Sequence, residues 1–294
     1  MFTRNRGRLL VFYAAVSGLL SAISAPCLTR EVLLIAGPPS HGPLEHEQNA
    51  AAILFARILN TLPEMHATVS LNGWPRNPEL MRKAAAIWVF CNGANSHLVA
   101  QDNNATEMQA AARRGAGIMF YHFATEPPEM TLHEEFLDWT GGYFALNYSV
   151  NPVFEAEFKT LPKHPLTRGV KPFRINDEWY FNIRFRDGLK DITQILVTVP
   201  PAGSFSRPDG PREGNPDVRS KIGQPQCLMW AYERPGGGRG VGFTGGHFHM
   251  NLANGNFRKL ILNAIVWMAK GNVPPNGVES QVANDDLKQN LDKK

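Results

Sequence analysis

Four short apolar runs, spaced by segments of helical periodicity, constrain this chain more than anything else in it. Glu31-Val32-Leu33-Leu34-Ile35-Ala36-Gly37 shows no polar/apolar alternation and stops at a glycine, the pattern of a strand buried on both faces. His66 to Leu71, Ala86-Ile87-Trp88-Val89-Phe90-Cys91 and Gly117-Ile118-Met119-Phe120-Tyr121 read as three more strands. Between them, Ala52, Phe55, Ala56 and Leu59 recur at helical spacing from about Glu45 to Leu62, and Thr106 to Arg114 is helical up to Gly115. Strands alternating with helices of this length predict an α/β fold: a mostly parallel sheet covered by helices on both faces.

The second half is less regular. Val153 to Phe158, Arg174 to Phe181, Ile195 to Val199, Cys227 to Tyr232 and Gly240 to Thr244 read as further strands, and Phe257 to Lys270 as a closing amphipathic helix. Residues Pro200 to Gln226, rich in Pro, Gly, Arg and Asp, read as a long surface excursion, and an excursion of that length in a compact domain usually has a function. The expected organisation is an export signal over residues 1–25, a single domain over 26–280 and a polar tail over 281–294, mobile in its last ten or so residues. The signal rests on Arg4, Arg6 and Arg8, the apolar run Leu9 to Ile23, and small residues around Ala25. That run is short and rich in Ala, Ser and Gly, so no stable membrane span is expected and the mature protein should be periplasmic or extracellular.

A formal charge of +4, with no basic helix and no basic–aromatic stripe, argues against a nucleic-acid partner. Three cysteines at wide spacing make neither a disulfide framework nor a zinc knuckle. Cys91 and Cys227 each fall in a strand-like run; buried thiols are expected there, with a bridge between the two as the alternative.

Of nine histidines, His41, His97, His122, His247 and His249 stand just past the C-terminal end of an expected strand. In an open parallel sheet those ends share one edge, where ligands bind. In Gly245-Gly246-His247-Phe248-His249 an extended backbone would point both imidazoles the same way. His46, in the first turn of the first helix, fits either a site or a structural role. His66, His133 and His164 fall elsewhere. Three uses are open to such a group: ligation of a divalent metal such as zinc with a carboxylate from Asp177, Glu178 or Glu126, acid–base chemistry near neutral pH, or hydrogen bonding to a polyhydroxylated ligand. Asp177 and Glu178 are neighbours on a strand, so one of them enters the site and the other does not. Trp179, Tyr180 and Trp230 offer either a platform for a sugar ring or core packing. No Gly-x-Ser-x-Gly elbow is present, and no serine or cysteine stands where His122 does.

Taken together, Gly37-Pro38-Pro39-Ser40-His41-Gly42, His122-Phe123-Ala124, Val150-Asn151-Pro152, Ile175-Asn176-Asp177-Glu178-Trp179-Tyr180, Met229-Trp230-Ala231-Tyr232-Glu233-Arg234 and Gly245-Gly246-His247-Phe248-His249 resemble the trehalose-utilisation, or ThuA-like, family over about Glu31 to Ser280. The resemblance implies a flavodoxin-like sheet related to class I glutamine amidotransferases. His122 stands where those enzymes carry their nucleophilic cysteine, so glutaminase activity is not implied. It also implies carbohydrate catabolism, with oxidised sugars such as 3-keto-glycosides as the associated substrates. The chain departs from the family pattern at Asn92-Gly93-Ala94-Asn95-Ser96-His97, at Asn147-Tyr148 and at Met250.

The resulting expectation is an exported enzyme that hydrolyses a sugar or keto-sugar glycoside, or eliminates and hydrates it. The alternative is a sugar-binding accessory protein without turnover. His122, Asp177, Glu178 and His249 are expected to do acid–base work. His41, His97, Asn92, Trp179, Tyr180, Trp230 and Asn251 are expected to bind substrate, and His122, His247 and His249 to hold the metal. The expected partner is a small carbohydrate, and a homo-oligomer is left open.

Overall fold

A computed structural model describes residues 1–2 and 29–294; the expected export signal and Cys27 lie outside the described residues. The strands are β1 (Arg30–Ala36), β2 (Met65–Ser70), β3 (Ala86–Phe90), β4 (Gly117–Tyr121), β5 (Gly142–Tyr143), β6 (Val153–Phe158), β7 (Phe173–Glu178), β8 (Arg184–Phe185), β9 (Ile192–Thr198), β10 (Gln226–Glu233) and β11 (Arg239–Phe243). The helices are α1 (Gln48–Leu59), α2 (Pro78–Lys83), α3 (Asn104–Arg113), α4 (His133–Thr140), α5 (Ala202–Phe205), α6 (Pro216–Arg219) and α7 (Gly255–Met268).

Seven strands form the central sheet in the order β2-β1-β3-β4-β11-β10-β9. The pairs from β2 across to β11 are parallel, and β10 then runs antiparallel to both β11 and β9. The apolar runs are continuous because each strand feeds two cores. Leu34, Trp88, Phe90, Met119 and Tyr121 pack on one face with α1 and α7. Leu33, Ile35, Ile87, Val89, Ile118 and Phe120 pack on the other with α3 and α4. The period of two assigns alternate residues to opposite faces, and both faces are dry. A two-stranded ladder, β6 with β7, stands apart from the main sheet and packs into the first of these cores.

Two expectations are corrected here. The 200–226 excursion is not structureless: it carries α5 and α6, and Asp209 bridges to Gly214. The polar tail packs back onto the domain, with Leu287 fully buried in the main core. Cys91 and Cys227 are buried and not bridged to each other; burial pushes both thiols up to about 12, which makes them poor nucleophiles. Among the described residues no helix is long and apolar enough to cross a membrane.

Candidate functional site

Neighbouring β1 and β3 leave the sheet in opposite directions, β1 feeding β2 at the edge and β3 feeding β4, so the crevice beside their C-terminal ends is the switch point of the sheet. Three loops and the end of one strand bring side chains there. His46 comes from the loop after β1, His122 from the residue after β4, His247 from the loop after β11, and Glu178 from the last position of β7. One ligand atom from each lies within 4.8 Å of all the others. His46 Nε2 is 2.9 Å from His247 Nδ1 and 3.0 Å from His122 Nε2. Glu178 Oε2 is 3.4 Å from His122 Nε2 and 3.4 Å from His247 Nδ1.

The tautomers follow from the surrounding acceptors. His122 Nδ1 lies 2.8 Å from the Thr244 carbonyl, which only accepts, so Nδ1 carries the proton and Nε2 presents a lone pair to the group. The Ser40 hydroxyl donates to Asn92 Oδ1 (2.7 Å), so at His41 the proton sits on Nδ1, which donates to Ser40 Oγ (3.0 Å). His41 Nε2 is left with its lone pair. His46 Nδ1 is buried with no hydrogen-bond partner among the described residues, and its Nε2 faces two other ring nitrogens.

Burial, with repulsion from His122, His41 and His247, holds the His46 pKa far below its ordinary value. Burial and the same kind of repulsion lower His41. Burial would raise Glu178, but the neighbouring His122 and His247 outweigh it and hold the carboxyl well below the usual range. Burial pulls His247 down, and Glu178 more than reverses it. The group therefore gathers imidazole nitrogens around one carboxylate, with His46 held neutral by burial and the His247 pKa raised by Glu178. That donor set suits a borderline-soft divalent cation. Tetrahedral zinc with bonds of about 2.0–2.1 Å separates its ligand atoms by about 3.3 Å. Four of the distances here run from 2.9 to 3.4 Å.

The backbone around the group is held in unfavourable conformations. His122 has φ 54°, and His41, Leu44 and His46 have φ 62°, 65° and 44°. These are left-handed positions in residues with a Cβ, of the kind that collects at functional sites. Asp177 lies beneath the site and does not enter it. It is fully buried and accepts the backbone N–H groups of Gly246 (2.7 Å), His247 (3.1 Å) and Phe248 (3.4 Å). Gly246 has φ 114°, and a Cβ there would land on the Tyr121 ring, so only glycine lets this loop wrap the carboxylate. Alternation along β7 therefore sends Glu178 to the histidines and Asp177 to the loop that carries one of them.

Several expected site residues lie elsewhere. His249 does not share a face with His247, because the chain bends at Phe248 and His249 opens a 3₁₀ turn. Its ring does not join the others, and the residues that meet are His46, His122, His247 and Glu178 rather than the expected His122, His247 and His249. His97 is fully buried: Nε2 donates to the Ala124 carbonyl (3.0 Å) and Nδ1 accepts the Val99 N–H (3.1 Å). Trp179 and Trp230 are fully buried core residues, Trp230 donating to the Thr140 carbonyl (2.7 Å), so neither presents a face to a sugar. Asn251 donates to the Asn176 carbonyl (2.9 Å). Tyr180 stays at the site, its hydroxyl 3.2 Å from His122 Nε2. His41 stacks on His46 with ring centroids 3.6 Å apart, and Asn92 stands behind it through Ser40.

Sequence reasoning left His46 undecided. The signal available was the pair His41 and His46 in one loop after a buried strand. Asn151, Arg212 and Glu126 were also missed as a framework. Asn151 Nδ2 donates to Glu178 Oε1 (3.0 Å), and the Asn151 N–H donates to the Arg212 carbonyl (3.2 Å). Arg212 grips buried Glu126 with two hydrogen bonds, 2.8 and 2.6 Å. A cleft of about 490 Å3 opens beside Glu178, lined by Asn151, Ser204, Arg207 and Glu213. A larger hollow of about 670 Å3 on α3 and α4 is lined by no member of the group.

Among curated proteins no match was found. In solved structures the fold is similar to that of a ThuA-like protein from Bacteroides uniformis, with TM-score 0.59 and 17% identity over 86% of this chain and 98% of that one. It is also similar to a ThuA-like protein from Parabacteroides merdae, with TM-score 0.55 and 16% identity over 87% and 94%. The family described as ThuA, Trehalose utilisation, matches residues 32–268, from the third residue of β1 to the last of α7. The chain belongs to the ThuA family.

Proposed function

We propose that this protein is a metal-dependent enzyme of carbohydrate utilisation, acting on a sugar or keto-sugar glycoside, with His46, His122, His247 and Glu178 holding one divalent cation such as zinc. The observation that carries the reading is the convergence of four ligand atoms within 4.8 Å, one of them on a histidine whose other ring nitrogen is buried and unpartnered. Three imidazole nitrogens meeting at 2.9 and 3.0 Å lack the protons to satisfy one another, and a cation resolves this where hydrogen bonds do not. When bound, such an ion supplies Lewis acidity toward a carbonyl or hydroxyl oxygen of the substrate.

The other residues supply the rest of the chemistry. His41 is exposed at the mouth of the site, and its lowered pKa keeps it neutral at pH 7 with Nε2 free, as suits a base that removes a proton from a carbon beside a carbonyl. Burial raises the Tyr180 pKa well above its usual value, so its hydroxyl stays a donor aimed at the same space. The cleft beside Glu178 sets amide, hydroxyl and paired charged groups around a ligand, a lining that suits neutral polyols. Carbohydrate as the substrate class rests on the family.

Elemental analysis of purified protein tests the metal. Wild type and His249→Ala should carry close to one divalent ion per chain, while His46→Ala and His122→Ala should lose it. A wild type that neither carries nor takes up a divalent ion ends this reading. A screen of keto-glycosides against their parent glycosides, with and without a chelator, then tests the reaction. Export belongs to the same proposal, and the N-terminal residue of protein recovered outside the cytoplasm checks it.

A further inference from the structure

The loop after β1 that carries His46 is held from the outside by the last residues of the chain. Lys294 Nζ donates to the Gly42 carbonyl (3.0 Å) and to the Glu45 carbonyl, and pairs with Glu47 at 3.3 Å. Both side chains are nearly dry, at 7% and 1% exposure. Glu47 is shared: Oε1 accepts the Leu44 N–H (2.8 Å) and Oε2 the Asp292 N–H (2.7 Å). Asn49 binds Asp292 Oδ1 (2.7 Å), and Leu287 anchors the segment in the core. The His249 N–H holds the same loop from the other side, donating to the Leu44 carbonyl (2.9 Å).

We propose that residues 286–294 are a strap whose Lys294 positions His46 within the site, rather than a solvated tail. The geometry is specific to one peptide. The carbonyl of the Glu45–His46 peptide accepts from Lys294, and its N–H donates to the His247 carbonyl (2.9 Å), so the strap fixes His46 relative to another member of the group. The loop needs such a hold. Leu44 and His46 both sit in the left-handed region, which residues with a Cβ leave when released. Lys294 is therefore a positioning residue. It acts through His46 and touches no member of the group by its side chain.

This inference rests on the metal reading for its effect on affinity, and the test separates the two. Full-length wild type, Lys294→Met and Lys293→Met are compared; Lys293 is exposed, so the control carries the same charge change away from the loop. Zinc affinity by chelator competition should fall roughly 10- to 100-fold in Lys294→Met and stay unchanged in Lys293→Met; the melting temperature should fall in Lys294→Met alone, because Glu47 stays buried without its cation. Amide exchange over residues 41–47, measured without metal, should speed up in Lys294→Met alone. Unchanged exchange in that variant overturns the strap, as does faster exchange with unchanged zinc affinity. If wild type binds no zinc while exchange still speeds up in Lys294→Met, the metal reading fails and the strap on His46 stands.

Discussion

Asp177 and Glu178 are one residue apart, and their surroundings assign them opposite work. The Asp177 carboxylate is the acceptor for three consecutive N–H groups of the loop that presents His247. Its replacement by alanine leaves those donors buried and unpaired, and hydrogen bonds to a charged group contribute about 1.5–3 kcal/mol each at most sites. Asp177→Ala should therefore lower stability by about 2–3 kcal/mol in chemical denaturation and also release metal, since His247 loses its support. Glu178 sits among three imidazoles and, among the described residues, its side chain accepts one hydrogen bond from outside the group, from Asn151. Glu178→Ala should lose metal while keeping or slightly gaining stability in the metal-free protein, because sites built for function are rarely at the stability optimum. Equal destabilisation by both substitutions would mean that Glu178 is a structural residue. The same contrast shows what was readable at this scale. Alternation along a strand told that the pair splits between two faces, but not which member goes where, since that depends on how the β6–β7 ladder sits against the sheet. The two tryptophans were ambiguous for a related reason: an aromatic beside an acidic pair packs a core as readily as it lines a cleft.

Among the elements, the strands of the main sheet were legible because burial on both faces leaves a continuous apolar run, and the long helices because one face is buried. Helices α2 and α4 were not singled out. Each is short, and the start signal of α2, Asn77 accepting the Glu79 N–H with Pro78 in the first turn, is a local one that periodicity does not report. The group of four donors was only half legible for a deeper reason. Three of its members come from loops, and loop conformation is decided by tertiary contacts such as the Asp177 nest and the strap, which leave no period in the sequence. The 200–226 excursion belongs to this class. It is latched to the site by Arg212, which pairs with buried Glu126 and lies 5.5 Å from the Phe123 ring centre. Glu126→Gln removes the charge that holds the latch without emptying the space. Limited proteolysis should then cut between Pro200 and Gln226 several-fold faster than in wild type, with the rest of the chain unaffected. Unchanged cleavage would show that α5 and α6 are held by their own packing, through Phe205 and Val218, and that the ion pair adds nothing to the closure.

At the scale of the whole molecule, the buried histidines outside the site tie stability to pH. His97 sits between the end of β3 and Ala124, fully buried, and desolvation lowers its pKa from 6.5 to about 4. In the unfolded chain the imidazole takes up its proton near pH 6.5; in the fold it does so only near pH 4. Between those values the unfolded state binds more protons, so the stability present in full above pH 6.5 is lost as the pH falls toward 4. The loss from this one residue amounts to about 2 kcal/mol at pH 5 and about 3 kcal/mol at pH 4. His164, lowered to about 4 by burial and by Arg239 and Arg168, adds in the same direction, but less because water reaches it. His97→Gln isolates the term. A glutamine amide offers a donor for the Ala124 carbonyl and an acceptor for the Val99 N–H, and it does not titrate. The variant should be somewhat less stable than wild type at pH 7.5, where the ring packs between Phe120 and Phe136, and the gap should narrow or reverse by pH 4.5. Denaturant melts at the two pH values decide it. Parallel losses in both proteins would show that His97 accepts its proton without penalty, and hence that water reaches this turn at the C-terminal edge of the sheet.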